Sequence, residues 1–300
     1  MQARLAITLT ERDGRLSPRL VAPGSSAAEA LLLGRSPEDA VEMLGRLFNL
    51  CRHAQEAAAR LAFGLPLPAI DGIRGEILRD TLFRLFIGLP RAMGHATVPL
   101  PVGWQDDPKR AALALFGPAG RFPATWPAFQ DWLSSAAGLA PLVAALSGTF
   151  APGEAAARTL PFASGDDLPC ENSAAMRHAG HPVMARIEAD YGRGPLWRTV
   201  ARMLDADACF QGWQPVARLV APGLAEAPSA RGLYRIGVSV RDGRVIAIRR
   251  RTPTDDFCHP DGAMVSALAA LPIAKRHLAP LVVECFDPCM PWAVQEMADA

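Results

Sequence analysis

The sequence predicts an α+β fold: a helical body carrying a small antiparallel sheet built from hairpins near the two ends of the chain. Three observations predict it. Apolar residues alternate at Leu5, Ile7 and Leu9 ahead of an Asp13-Gly14 turn, and a second alternating run, Tyr234 to Val240, leads into Asp242-Gly243. Between the two hairpins the apolar residues recur at helical spacing. With 300 residues, 50% of them hydrophobic, the chain can bury a sizeable core. We read residues 1–300 as a single large domain in three stretches: 1–70 with the first hairpin and a helix carrying Cys51, a helical middle over 71–230, and 231–300 with the second hairpin and a turn at Cys289.

The elements follow in order. Ala3 to Thr10 and Leu16 to Val21 flank Arg12-Asp13-Gly14-Arg15 as the first hairpin. Ser36 suits a helix N-cap, Pro37 the first helical position, and Glu38 and Asp39 the positive end of the dipole. Val41, Leu44, Leu47, Phe48 and Cys51 continue an apolar stripe, so the helical pattern runs to Phe63, where Gly64, Pro66 and Pro68 end it. Ile77, Leu78, Leu82, Leu85 and Phe86 make the segment Ile73 to Leu89 amphipathic, and Trp126, Phe129, Trp132 and Leu133 form an aromatic stripe suited to core packing. Pro/Gly-rich stretches at 99–108, 116–127 and 151–169 are connectors. Tyr234–Val240 and Val245–Ile248 form the second hairpin. The two hairpins are expected in one sheet, an arrangement that would bring the elements following each of them together.

Composition excludes several functions. The 31 basic and 30 acidic residues leave a net charge of +1, which gives no global attraction for nucleic acid. The run Arg249-Arg250-Arg251 reads as a solvated strand end. No signal peptide is visible behind Met1, and the apolar run Leu139 to Leu146 is far below the roughly 18–20 residues of a membrane span, so a cytoplasmic protein is expected. Six cysteines are too sparse for a disulfide framework and are expected as thiols.

Familiar catalytic signatures are missing: there is no Gly-x-Ser-x-Gly elbow, phosphate loop or His-Glu-x-x-His helix. The adjacent carboxylates Asp166-Asp167 and Asp255-Asp256 read as solvated loop residues. His178 and His181, three apart and preceded by Cys170 and Glu171, could ligate a metal, but Gly180 and Pro182 argue against the helix that would align them, and a loop packed by imidazoles is the simpler reading.

Two cysteines stand out by their surroundings. Cys51 ends Arg46-Leu47-Phe48-Asn49-Leu50-Cys51, and Cys289 lies in Phe286-Asp287-Pro288-Cys289-Met290-Pro291-Trp292. With Leu31 to Ala40, Asp242 to Ile246 and Thr252-Pro253-Thr254, these segments resemble, in order and spacing, the nickel–iron hydrogenase large subunit over about residues 3–63 and 231–295. There, two Cys-x-x-Cys pairs hold the binuclear centre. Here Phe48 and Trp292 stand at two of the four cysteine positions, Gln55 replaces a histidine of the first motif, and Gln295 replaces the histidine at which the precursor is cleaved. The chain is most similar to the truncated, large-subunit-like maturation proteins of the HupK and HoxV type.

That resemblance implies a fold like a pruned large subunit, and, because the large subunit places its first cysteine pair near a helix start, it leaves a break between Leu44 and Cys51 open as an alternative to the continuous helix. It also implies a non-catalytic scaffold in which Cys51 and Cys289 transiently hold iron with its cyanide and carbonyl ligands. The implied partners are a small maturation chaperone of the HypC type, other maturation proteins and the large-subunit precursor, with no nucleic acid and no membrane. Thiolates are soft ligands suited to iron, and two of them suffice for an iron that brings strong diatomic ligands of its own. Two alternatives stay open: a metal-free mimic that docks to the maturation machinery, and a residual metalloenzyme using Cys51, Cys289 and a histidine such as His181 or His259. Cys258 and Cys285 are further possible donors that the large-subunit pattern does not use.

Overall fold

The structure is a computed structural model that describes residues 4–24, 26–68, 72–162 and 168–296. Its elements run β1 (Leu5–Arg12), β2 (Arg15–Val21), α1 (Ser26–Ala30), α2 (Pro37–Leu47), α3 (Arg52–Ala62), α4 (Ile73–Phe83), a π-helical turn (Arg84–Gly88), and α5 (Leu89–Ala92). There follow α6 (Pro108–Phe116), α7 (Trp126–Leu133), α8 (Ala140–Thr149), α9 (Pro182–Tyr191) and the long α10 (Pro195–Phe210). The chain closes with β3 (Arg218–Ala221), β4 (Leu224–Ser229), β5 (Gly232–Arg241), β6 (Arg244–Arg251), α11 (Pro253–Cys258), α12 (Ala263–Ala269), α13 (Ala279–Phe286) and β7 (Trp292–Glu296).

The α+β class holds, but the single sheet does not. The strands form two sheets, β2-β1-β7 and β3-β4-β5-β6. The physical reason is edge occupancy. β5 has β4 on one side and β6 on the other, both antiparallel, and β6 bonds through Val245 to Gly34 and Arg35 and not to a strand of the first hairpin. β1 instead pairs on its free side with β7, in parallel, from Leu5 opposite Trp292 to Leu9 opposite Glu296. The two ends of the chain therefore meet through β7, with no contribution from hairpin–hairpin pairing. A second tie is short: Gly34 N–H donates to the Val245 carbonyl at 2.8 Å and Val245 N–H to that of Arg35 at 2.9 Å, fixing the stretch ahead of α2 against β6.

The helical stripe from Ser36 is also divided. Ser36 caps α2 by accepting the Asp39 N–H at 3.1 Å, but the helix ends at Leu47 and resumes at Arg52. The continuous helix to Phe63 is therefore corrected, and the alternative left open by the large-subunit resemblance, a break between Leu44 and Cys51, is the one found. α4, the π-helical turn and α5 follow one another without a gap over the amphipathic segment, and in α7 Phe129 and Trp132 are buried core, stacked at 5.9 Å, with Trp126 and Leu133 half-buried against them. One core joins α3, α4, α7, α9 and α10 with the inner face of the four-stranded sheet; a second joins β1 with α12 and α13. Among the described residues, no helix is long and apolar enough to cross a membrane. Of the adjacent carboxylates, Asp166-Asp167 lie outside the described residues.

Candidate functional site

The loop between α2 and α3 delivers the first thiol. Cys51 occupies the N-cap of α3 in the left-handed region (φ 55°, ψ 36°), a conformation that costs a non-glycine residue of order 1 kcal/mol or more and persists only where its surroundings hold it. They do so here. The Cys51 carbonyl accepts the Gln55 N–H at 3.0 Å, and the Gln55 side chain donates back to the Leu50 carbonyl at 2.8 Å. The buried Glu76, from α4, accepts the free N–H groups of His53 and Ala54 at 3.3 and 3.4 Å, supplying the cap that the sulfur does not.

The turn after α13 delivers the second. Asp287, fully buried, ends the helix in the same left-handed region (φ 57°), and two residues on Cys289 N–H donates to Thr254 Oγ1 of α11 at 3.0 Å. That bond joins two of the segments that carry the large-subunit resemblance. Cys289 is half-buried.

Cys51 and Cys289 line one cavity of about 180 Å³, shared with Phe48, Gln55, Arg231, Tyr234 and Arg250. By bulk volume that is room for roughly six waters, far below an ordinary organic-ligand pocket of about 300–1,000 Å³. No carboxylate and no histidine is among the lining residues. Beside it opens a wider, mostly apolar hollow of about 500 Å³ walled by Phe83, Ile87 and Trp292; Leu50 and Arg231 border both.

Arg231, in the turn between β4 and β5, organises the site. Its Nη1 donates to Cys51 Sγ at 3.2 Å and to Asp80 Oδ2 at 3.4 Å, while Nε donates to the Asp287 carbonyl at 3.0 Å. The Asp287 carboxylate is ringed by guanidinium groups: Arg84 at 2.6 Å, Arg231 at 3.2 Å and Arg202 at 3.4 Å. Burial alone would lower the pKa of Arg231, but Asp287, Cys51, Asp80 and Cys289 reverse this and hold it charged. Burial pushes the Cys51 thiol up, with Arg231 opposing. Gly232, at φ 153°, lets the backbone follow Arg231 closely past Asn172: a Cβ there would lie 2.5 Å from Asn172 Oδ1 and 2.7 Å from its carbonyl oxygen.

Most of the other candidate donors go elsewhere. Glu171 forms a two-pronged buried pair with Arg198 at 2.9 and 2.8 Å, Cys170 Sγ lies 3.5 Å from Asp256, His178 Nε2 lies 2.7 Å from buried Asp205, and His181 caps α9. Cys209 and Cys285 are buried, each pushed up to about 12 by that burial, and neither is among the cavity's lining residues. Cys258 is raised chiefly by burial and next by the adjacent Cys289. Among the described residues, no group of three or more His, Cys, Asp or Glu side chains could hold a metal ion. The readings of Asp256 and of the arginine run are corrected too. Asp256 is 2% exposed and bonded to Asn172 and Arg251, and Arg250 turns inward. Sequence reasoning missed Arg231 and Asp80; Asp287 stood inside the Asp-Pro-Cys segment but was given no task.

No protein-family model matches the chain. Full-length relatives do. The chain is 44% identical over 302 residues, covering 100% of both sequences, to the hydrogenase expression/formation protein HupK of Rhodobacter capsulatus. It is 27% identical to HupK of Azotobacter vinelandii, over 98% of this chain and 99% of that one, and 26% identical, at the same coverage, to HupV of Azotobacter chroococcum mcd 1. Among solved structures it superposes on the Ni-Fe-Se hydrogenase of Desulfovibrio vulgaris Hildenborough with a TM-score of 0.58 at 16% identity, over 93% of this chain and 94% of the other. The reduced Ni-Fe-Se hydrogenase of Desulfomicrobium baculatum gives 0.52 at 15% identity, over 94% and 95%. The chain belongs to the HupK family of hydrogenase expression/formation proteins, on a fold like that of the hydrogenase large subunit.

Proposed function

We propose that this protein is a non-catalytic, cytoplasmic scaffold of hydrogenase maturation, which holds an iron fragment with cyanide and carbonyl ligands between Cys51 and Cys289 before its transfer to the large subunit. The observation that carries this reading is that two thiols 238 residues apart in sequence line the same small cavity, with a charged guanidinium on one of them. Both thiols must be deprotonated to bind iron. Burial opposes that at Cys51; Arg231 and the N-terminus of α3 favour it.

The dimensions and donor set suit this cargo. A cavity of about 180 Å³ has room for an iron with three diatomic ligands. A bare ion would need more donors than two thiols, whereas an iron already carrying strong ligands needs few from the protein. A site short of donors also releases what it holds, as transfer requires. No histidine is on the cavity wall, so the metalloenzyme alternative, which calls for one beside the two thiols, has less support.

A small chaperone of the HypC type is the proposed donor of the fragment. The wider hollow, where exposed Phe83 and Leu50 stand beside Trp292, supports a second reading in which the protein docks to the machinery without metal. Iron analysis of protein purified anaerobically separates the two. The scaffold predicts close to one iron per chain from maturation-competent cells and none from cells that cannot make the cyanide ligands. Absence of iron in both, with the small chaperone still co-purifying, supports docking alone.

A further inference from the structure

Phe48, which the large-subunit resemblance sets at a missing cysteine, is the seat of a cation. The guanidinium carbon of Arg250 lies 3.5 Å from the Phe48 ring centroid and 5.6 Å from that of buried Tyr234. Arg250 Nε donates to Tyr234 Oη at 3.0 Å and Nη2 to Gln55 Oε1 at 2.9 Å. Gln55 is itself 4% exposed and fixed by its bond to the Leu50 carbonyl. The two substitutions that remove a thiol and an imidazole from the first motif therefore act together: one supplies an aromatic face and the other an acceptor, and both hold the same arginine.

The charge of Arg250 differs from that of Arg231. Arg231 is answered by Asp287 and Asp80. The partners given to Arg250 by the structure are all neutral, and no carboxylate lines the cavity. A cation kept in a confined, partly desolvated space repels a second cation and attracts an anion more strongly than it would in water.

We propose that Arg250 sets the selectivity of the cavity: seated on Phe48 and held by Gln55 and Tyr234, it admits an anionic iron complex to Cys51 and Cys289 and rejects a bare divalent cation such as nickel. This rests on the reading of those two thiols as the ligands. Arg250 touches the cargo's volume and acts on it by charge, so replacing it is expected to relax selectivity while leaving both thiols in place.

The test is an anaerobic titration of the reduced, metal-free protein with Co²⁺, whose bond to thiolate gives a charge-transfer absorption. Wild type and Arg250→Lys, which keeps the charge, should show no such band at stoichiometric Co²⁺. Arg250→Gln should bind Co²⁺ at least a hundredfold more tightly than wild type, with a band that a further Cys51→Ser change removes. Arg250→Met, which keeps the apolar volume over Phe48, repeats the comparison with different packing, and circular dichroism confirms which variants are folded. A wild-type band that Cys51→Ser abolishes would overturn the proposal, as would folded Arg250→Gln or Arg250→Met protein that rejects Co²⁺ as wild type does. Infrared bands of cyanide in protein from maturation-competent cells test the cargo reading separately: their absence would sink that reading, while the Co²⁺ titration would still decide the role of Arg250.

Discussion

Arg231 donates to the sulfur of Cys51 at 3.2 Å across 180 residues of chain, and the same guanidinium reaches the Asp287 carbonyl at 3.0 Å, two residues before the second thiol. One side chain thus ties the start of α3 to the end of α13. The burial of so many charges is tolerable because each is answered: Asp287 stands among Arg84, Arg202 and Arg231.

Removing that carboxylate should be costly. Asp287→Asn leaves three guanidinium groups without their shared anion, and breaking a buried charge network from one side typically costs about 3–5 kcal/mol. Arg79→Ala, which removes a half-exposed partner of Asp80, should cost no more than about 1 kcal/mol. Urea denaturation of the two variants beside wild type measures both.

Gly232→Ala should destabilise by about 1–3 kcal/mol, because the backbone sits at φ 153° and the new Cβ meets the backbone of Asn172. Gly75→Ala provides the contrast. It lies inside α4 with nothing within 4 Å of its Cβ position, so it should stabilise by about 0.5–1 kcal/mol. Opposite shifts in thermal midpoint are the expected result.

Stability should fall in alkali for a reason the buried thiols supply. Cys209 and Cys285 are raised to about 12 by burial, above an unfolded thiol at about 8.5. The unfolded chain then loses these protons first. Their contribution is complete below the unfolded value and is lost as pH rises toward 12. Thermal midpoints measured from pH 8 upward should decline, and Cys209→Ala should give a flatter decline from a lower start.

Much of this was legible in the sequence. The Asp-Gly turns marked both hairpins, and the motifs around Cys51 and Cys289 singled out the two thiols that share the cavity. A turn shows where a hairpin closes but not which sheet it joins. The pairing that unites the ends uses β7, five residues whose partner lies at the other end of the chain, and no local pattern announces it. The orientation of Arg250 was hidden likewise in a run of three arginines: strand alternation puts neighbours on opposite faces, but only the fold shows which face is the cavity. Asp287 could have been found, since a carboxylate beside a candidate ligand in a tight turn after an apolar helix demands a cation.

Position 295, where the large subunit's precursor carries a histidine, is Gln295, paired with Thr8 in β7, the edge strand of its sheet. Its peptide bonds are held in a strand ladder, which a protease must open before cutting. The intact mass of the protein should be the same in cells that mature hydrogenase and in cells that do not. Loss of a C-terminal peptide only in the former would contradict this.

The most direct test of the scaffold is infrared spectroscopy of protein purified anaerobically from maturation-competent cells, because cyanide and carbonyl ligands on iron absorb where protein does not. Wild type should show those bands, and Cys51→Ser and Cys289→Ser should each abolish them while the fold survives, the exchange of one thiol for a hydroxyl costing at most about 1–3 kcal/mol. Cys170→Ser and Cys209→Ser, outside the cavity, should leave the bands unchanged. Bands that persist when Cys51 and Cys289 are both replaced, or wild-type protein without bands, would contradict the account.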